Sequence, residues 1–127
     1  MAKLILFDAE TGELSWVKCD GLDDYYKHLK CDCIDIPIRV VGTVEYDIIC
    51  DDEGLLKSNP IISAVDKNLR PMLVGNLLFS HHNIDGETTS CSESDMSNLK
   101  HHLVTLYNWM ADKHQTVVRS VEYCGGM

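Results

Sequence analysis

Six cysteines and six histidines are the residues of this 127-residue chain whose types could hold a metal ion. They are Cys19, Cys31, Cys33, Cys50, Cys91, Cys124, His28, His81, His82, His101, His102 and His114. Structural zinc sites usually pair cysteines as C-x2-C, with a second pair at a defined distance. The closest pair here, Cys31 and Cys33, is separated by one residue. The spacing therefore predicts reduced thiols and no metal site, and a metal-binding module built from His81, His82 or Cys91 remains a third option.

The chain lacks the short motifs that bind a nucleotide or position a nucleophile. It contains neither GxxxxGK[ST] nor GxGxxG, and no serine or cysteine lies in a nucleophile-elbow pattern. The densest carboxylate run, Asp51-Asp52-Glu53, precedes Gly54, an arrangement typical of a solvated turn. We therefore predict no catalytic residue and no cofactor.

Length and composition indicate one globular domain spanning residues 1–127. Apolar residues make up 45% of the chain and charged residues 24%, which is sufficient to bury a core. No apolar run reaches the roughly 18 residues of a membrane span, and the N-terminus has no secretory signal pattern. We expect a cytoplasmic protein without disulfides and without a membrane partner.

The net charge of −9 is unevenly distributed, because residues 1–60 hold thirteen of the twenty acidic residues. A surface of this sign repels phosphate backbones, so direct nucleic-acid binding is disfavoured. The charge either keeps the protein soluble or forms a face that binds a basic partner. In the second case Asp51, Asp52 and Glu53 are the candidate binding residues.

Hydrophobic periodicity predicts an α+β fold, a largely antiparallel sheet of about five strands with helices packed on it. The predicted strands are 3–7, 14–19, 34–41, 44–50 and 73–80. A short helix is expected after the first hairpin, because Leu22, Tyr25, Tyr26 and Leu29 share one helical face.

A long C-terminal helix is predicted over residues 93–113. Ser92 and Asp95 have the types and spacing of a helix N-cap, and apolar residues then recur every three or four positions. The side chains expected to be buried by this helix are Met96, Leu99, Leu103 and Leu106. Residues 117–127 would form a late strand and a loose tail.

The order of these elements, together with three motifs, resembles a family of small proteins that bears only a domain-of-unknown-function label. The motifs are Cys50-Asp-Asp-Glu-Gly54 followed by Asn59, the strand opening Gly75-Asn76, and the acidic-capped helix that begins at Ser92. The match covers about residues 3–110. The resemblance implies a protein carried by phages, plasmids and conjugative elements of Gram-positive gut bacteria.

Charge and resemblance together favour a non-enzymatic binding or inhibitory protein of a mobile genetic element. Its partner would be a host protein with a basic surface, such as a defence nuclease whose nucleic-acid-binding face it blocks. The alternative is a protein that binds or hydrolyses a small molecule such as a nucleotide signal. Asn59, Asn76 and His81 would then converge on a pocket.

Overall fold

A computed structural model describes residues 2–54, 61–108 and 112–124 of the protein. The strands in these ranges are β1 (Ala2–Asp8), β2 (Glu13–Cys19), β3 (Ile34–Asp35), β4 (Ile38–Val41), β5 (Val44–Asp51), β6 (Ile62–Val65), β7 (Pro71–Val74), β8 (Leu77–His82), β9 (Thr88–Thr89), β10 (Leu103–Asn108), β11 (Lys113–Val118) and β12 (Val121–Tyr123). The helices are α1 (Leu22–Leu29) and α2 (Glu93–His101). With eight and nine residues, both described helices are much shorter than the roughly 20 residues that cross a bilayer.

The larger sheet has the strand order β12-β4-β5-β8-β1-β2, with β3 and β9 added beside β5 and β8. Its ladders are antiparallel, and the first hairpin pairs β1 with β2 in continuous register from Ala2 and Cys19 to Asp8 and Glu13. Strands β5, β8 and β1 occupy the middle, and each contains an apolar run of at least three residues, namely 48–50, 77–79 and 4–7.

The smaller sheet has the order β10-β11-β6-β7. Strands β10 and β11 form a hairpin, and β11 meets β6 in parallel where Val118 lies opposite Ala64. The turn between β1 and β2 approaches this sheet closely. A Cβ atom added at Gly12 would lie 2.5 Å from Cβ of Thr116, so this contact requires glycine.

Two hydrophobic clusters cover the two faces of the larger sheet. On one face Phe7 and Phe79 pack with Leu99 of α2 and with Val118 of the smaller sheet. On the opposite face the buried residues of the sheet and of α1 are Leu4, Cys19, Tyr25, Leu29, Ile49 and Leu78. The larger sheet is therefore buried on both sides, which explains why each of its central strands contains an uninterrupted apolar run.

The predicted α+β fold with a long C-terminal helix over residues 93–113 is wrong. Helix α2 ends at His101, and the chain then forms the β10–β11 hairpin. Leu103 and Leu106 matched helical spacing with Leu99, but they belong to a strand and are only partly buried. The sequence LVTLYN contains β-branched residues that favour strand, and six paired positions with β11 outweigh the helical pattern.

Two of the predicted strands are interrupted, and the second of them is shared between the two sheets, because Leu73 and Val74 belong to β7 of the smaller sheet. Residues 34–41 form β3 and β4 on either side of Pro37, which cannot donate to a ladder. Residues 73–80 are divided at Gly75, which has a positive φ of 76°. The predicted late strand is also divided, because β11 ends at Val118 and β12 pairs with β4. Residues 125–127 of the predicted tail lie outside the described residues.

Candidate functional site

Three side chains that can ligate metal ions meet where α2 begins. The imidazole of His81, the thiol of Cys91 and the carboxylate of Asp95 place one potential ligand atom each within 4.8 Å of the other two. Cys91 and Asp95 are buried, whereas the side chain of His81 is 31% exposed. We call these residues the His81–Cys91–Asp95 cluster.

Strand alternation brings His81 to this position. Successive residues of a strand point to opposite faces, so His81 shares the face of Leu77 and Phe79. Tyr46 lies on the same face of the neighbouring strand β5, since its ring packs 5.6 Å from that of Phe79 and 5.0 Å from that of His81. His82 lies on the other face, where its Nδ1 is 2.7 Å from Oδ2 of Asp47.

Asp95 is held by a capping box that the sequence predicted. The Ser92 hydroxyl accepts the Asp95 N–H, and Asp95 Oδ2 accepts the Ser92 N–H at 2.8 Å. Oδ2 also lies 3.0 Å from Nε2 of His81. Burial acts to raise the pKa of Asp95, but the hydrogen bonds from Ser92, His81 and Tyr46 outweigh it and hold the pKa below its usual value.

Tyr46 fixes the other oxygen of this carboxylate. Its hydroxyl donates to Asp95 Oδ1 at 3.1 Å and accepts a hydrogen bond from Nδ2 of Asn98 at 3.1 Å. Burial, together with the nearby negative charge of Asp95, raises the pKa of Tyr46 well above its usual value. The phenol therefore stays neutral and acts as a hydrogen-bond donor.

Cys91 is a neutral thiol in this arrangement. Its Sγ donates to the backbone oxygen of Phe79 at 3.1 Å, and burial, with a smaller effect of Asp95, raises its pKa to about 12. A nucleophilic cysteine needs a lowered pKa. The raised pKa of the Cys91 thiol does not favour nucleophilic chemistry, and the three side chains together are groups that could hold a metal ion.

A second group of charged side chains gathers around the predicted binding residues. Strand β3 pairs with the end of β5, and the Asp52 N–H donates to the Cys33 carbonyl at 3.1 Å. We call the carboxylates at this end of the sheet the acidic cluster: Asp32, Asp35, Asp51, Asp52 and Glu53. All are exposed except Asp51, which is partly buried and caps the turn by accepting the Glu53 N–H at 2.9 Å.

The acidic cluster contributes to the raised pKa values of two thiols. A hydrogen bond with Glu53, followed by the charge of Glu53, raises the pKa of Cys33. Burial raises the pKa of Cys50 to about 12, with further increases from Asp35 and other acids of the cluster. The negative potential therefore extends from the exposed turn into the sheet.

Of the predicted pocket residues, the two that the structure describes, Asn76 and His81, lie apart. Asn76 is a structural bridge that accepts the Ala9 N–H and donates to the His28 carbonyl. It lies five residues from His81 along an extended segment, roughly 16 Å away. Asn59 lies outside the described residues.

A polar groove of about 460 Å³ lies elsewhere, between the β1–β2 turn and strand β11. Its lining includes Glu10, Thr11, Lys113, His114 and Gln115. Neither of the two described residues of the predicted pocket, Asn76 and His81, lines it.

The sequence predicted that Asp95 takes part in a helix N-cap, but it did not predict the hydrogen bond between Asp95 and Tyr46. A signal was available, because the alternation of Val44, Tyr46 and Ile48 places Tyr46 on the buried face. A buried tyrosine hydroxyl normally has a hydrogen-bond partner. That partner comes from 49 residues further along the chain, a separation that local patterns do not bridge.

All six cysteines lie in the described ranges, and none forms a disulfide. We expect thiol titration of unfolded, unreduced protein to count six reactive groups, because the structure contains all six cysteines as thiols. The folded protein should react more slowly at Cys19, Cys50 and Cys91, whose pKa values are raised chiefly by burial. A count below six in the unfolded state would contradict the prediction.

Residues 2–104 match the model of a protein family described as Domain of unknown function (DUF3846). No curated protein matches the chain. No solved structure matches it either.

Proposed function

The chain belongs to the DUF3846 family, and we propose that it is a non-enzymatic binding protein whose acidic cluster contacts a basic partner. The observation that carries the proposal is the convergence of Asp32 and Asp35 with the turn at residues 51–53 through the pairing of β3 and β5. Five carboxylates from two separate chain segments thus form one surface.

The charges of the acidic cluster repel one another in the unbound protein. Several like charges within a Debye length produce a potential that attracts a surface of opposite sign and speeds association. A partner with lysines and arginines relieves this repulsion when it binds.

The acidic cluster is located at a turn and not in the core. Asp32, Asp35, Asp52 and Glu53 are exposed, so their side chains are available to a partner. Substitutions there leave the two hydrophobic clusters intact.

The origin of the protein and the identity of its partner can be specified further. We propose that the protein serves a phage, plasmid or conjugative element and inhibits a host defence protein. Proteins that bind nucleic acids present clustered lysines and arginines, and an acidic cluster is complementary to such a face.

Replacing Asp51, Asp52 and Glu53 together by Lys should weaken partner binding, mainly by slowing association. Wild-type and variant proteins are used as baits in lysate of a Gram-positive host, and retained proteins are identified by mass spectrometry. The partner is the protein retained by wild type and lost by the variant. Its association with wild type should slow as salt rises from about 0.05 to about 0.5 M, because screening shortens the range of the charges.

The matched control replaces Asp85, Glu87 and Glu93 by Lys. These exposed acids lie at the opposite end of the larger sheet, and the variant has the same net charge. A double variant, Asp52→Lys with Glu53→Lys, retains the Asp51 turn cap and separates lost charge from a disturbed turn. A partner bound equally by all variants, with salt-independent affinity, would contradict the proposal.

The groove between the β1–β2 turn and β11 supports a second candidate function, the binding of a small molecule. Its volume of about 460 Å³ is in the range of ligand sites. Lys113 and His114 provide groups that could bind an anion such as a nucleotide. A nucleotide-induced rise in melting temperature that Lys113→Ala abolishes would favour this function over the acidic-cluster proposal.

A further inference from the structure

We propose that the His81–Cys91–Asp95 cluster is a binding site for a divalent transition-metal ion of the zinc class, with one coordination position left to water. The proposal does not rest on the acidic cluster or on its partner. It rests on three ligand types that converge from a strand, a loop and a helix.

The donor set selects the class of metal. Imidazole, thiolate and carboxylate together are typical ligands of zinc, whereas calcium and magnesium prefer oxygen ligands alone. Zinc sites with three protein ligands keep a fourth position open. The 31% exposure of the His81 side chain gives water and the ion a route to that position.

The distances allow coordination after a small movement. Zinc with tetrahedral ligands holds the ligand atoms roughly 3.3–3.8 Å apart, given bond lengths of about 2.0–2.3 Å. Nε2 of His81 and Oδ2 of Asp95 are already 3.0 Å apart. Since all three atoms lie within 4.8 Å of one another, the sulfur of Cys91 has to move by no more than roughly 1.5 Å.

Neighbouring groups hold two of the ligands in place. The Ser92 N–H and the Tyr46 hydroxyl fix the Asp95 carboxylate, and Asn98 in turn fixes that hydroxyl. The Tyr46 ring lies against the ring of His81. Such outer partners orient the ligands of metal sites and strengthen binding.

Metal binding must release a proton. The Cys91 thiol loses its proton to solvent when its sulfur binds the ion, and it then no longer donates to the Phe79 carbonyl. At least one proton therefore leaves for each ion bound.

The same hydrogen bonds satisfy the cluster before the ion arrives. Cys91 donates to Phe79, and Asp95 accepts from three neighbours, Ser92, Tyr46 and His81. The metal is accordingly a ligand of the folded protein and is not required for folding.

The test is a titration of metal-stripped protein with Co²⁺, followed by displacement with Zn²⁺. Wild type should bind one Co²⁺, show the near-ultraviolet charge-transfer band of a cobalt thiolate, and lose the band when Zn²⁺ is added. Calorimetry in two buffers of different ionisation enthalpy should show the release of at least one proton. His81→Ala should weaken binding by at least about tenfold.

Two matched controls make the test specific. His82→Ala changes the adjacent histidine, which pairs with Asp47 on the other face, and should bind Co²⁺ like wild type. Cys50→Ser changes a thiol that is as buried as Cys91, 6% against 7% exposed, and should retain the band that Cys91→Ser loses. If Cys91→Ser does not fold, the comparison of His81→Ala with His82→Ala decides the test. Absence of the band in wild type, or equal weakening by His81→Ala and His82→Ala, would overturn the proposal.

Discussion

Replacing Leu99 by Ala should lower the free energy of unfolding by about 2–5 kcal/mol, as expected for a leucine removed from a packed core. Leu99 has no exposed surface and lies in the cluster that joins α2 to both sheets. The substitution removes apolar contacts and leaves a cavity, since a core near crystal density relaxes only in part. Urea denaturation of wild type and variant measures the difference.

Leu103→Ala is the control for the location of the helix end. Leu103 lies in β10 and is only partly buried, so its replacement should cost roughly half as much. A continuous helix over residues 93–113 would bury both leucines and predicts similar losses. Equal destabilisation by the two variants would therefore contradict the described fold.

Asp95→Ala should lower the free energy of unfolding of metal-stripped protein by about 2–4 kcal/mol. The substitution removes a helix cap and also leaves a buried hydrogen-bond donor without an acceptor. The capping box disappears, and the Tyr46 hydroxyl, in a residue only 1% exposed, loses its acceptor. Chelator in the urea titration removes any contribution from bound metal. Glu93→Ala is the control, because this exposed acid in the same helical turn should cost less than about 1 kcal/mol. A loss no larger than that of Glu93→Ala would show that the network does not stabilise the fold.

The Asp95 carboxylate should also make the stability of the folded protein depend on pH in the acid range. The pKa of Asp95 is lower in the folded protein than its ordinary value, so the folded state favours the charged form. That contribution is present above the ordinary carboxyl pKa of about 4 and is lost as pH falls through the lower folded value. As the pH is lowered from about 5 to about 2.5, Asp95→Asn should therefore lose less stability than wild type. Parallel stability curves for the two proteins would contradict the assignment.

Local patterns predicted the elements whose signals lie within a few residues. Short apolar runs identified β1 and β2, alternation identified β5, helical spacing identified α1, and Ser92 with Asp95 identified the start of α2. The burial of Met96 and Leu99 was also predicted correctly. Each of these signals is the periodicity of one element or the chemistry of one cap.

The end of α2 could not be found in this way. Leu99, Leu103 and Leu106 have the spacing of one helical face, and residues 103–108 become a strand only because they pair with residues 113–118. The pairing energy of a hairpin depends on both strands. A pattern read along one segment therefore assigns the whole apolar run to the helix.

The acidic charge, the turn at residues 51–53, the reactive residue types and the inward face of β5 follow from local sequence alone. Which of these residues meet depends on how the helices and sheets pack. Asp95 lies 14 residues from His81 and 49 from Tyr46, yet one carboxylate contacts both. Likewise, β3 brings Asp35 beside residues 50–53. These contacts join segments that have no common period, so they follow from how helix and sheets pack and not from any local pattern.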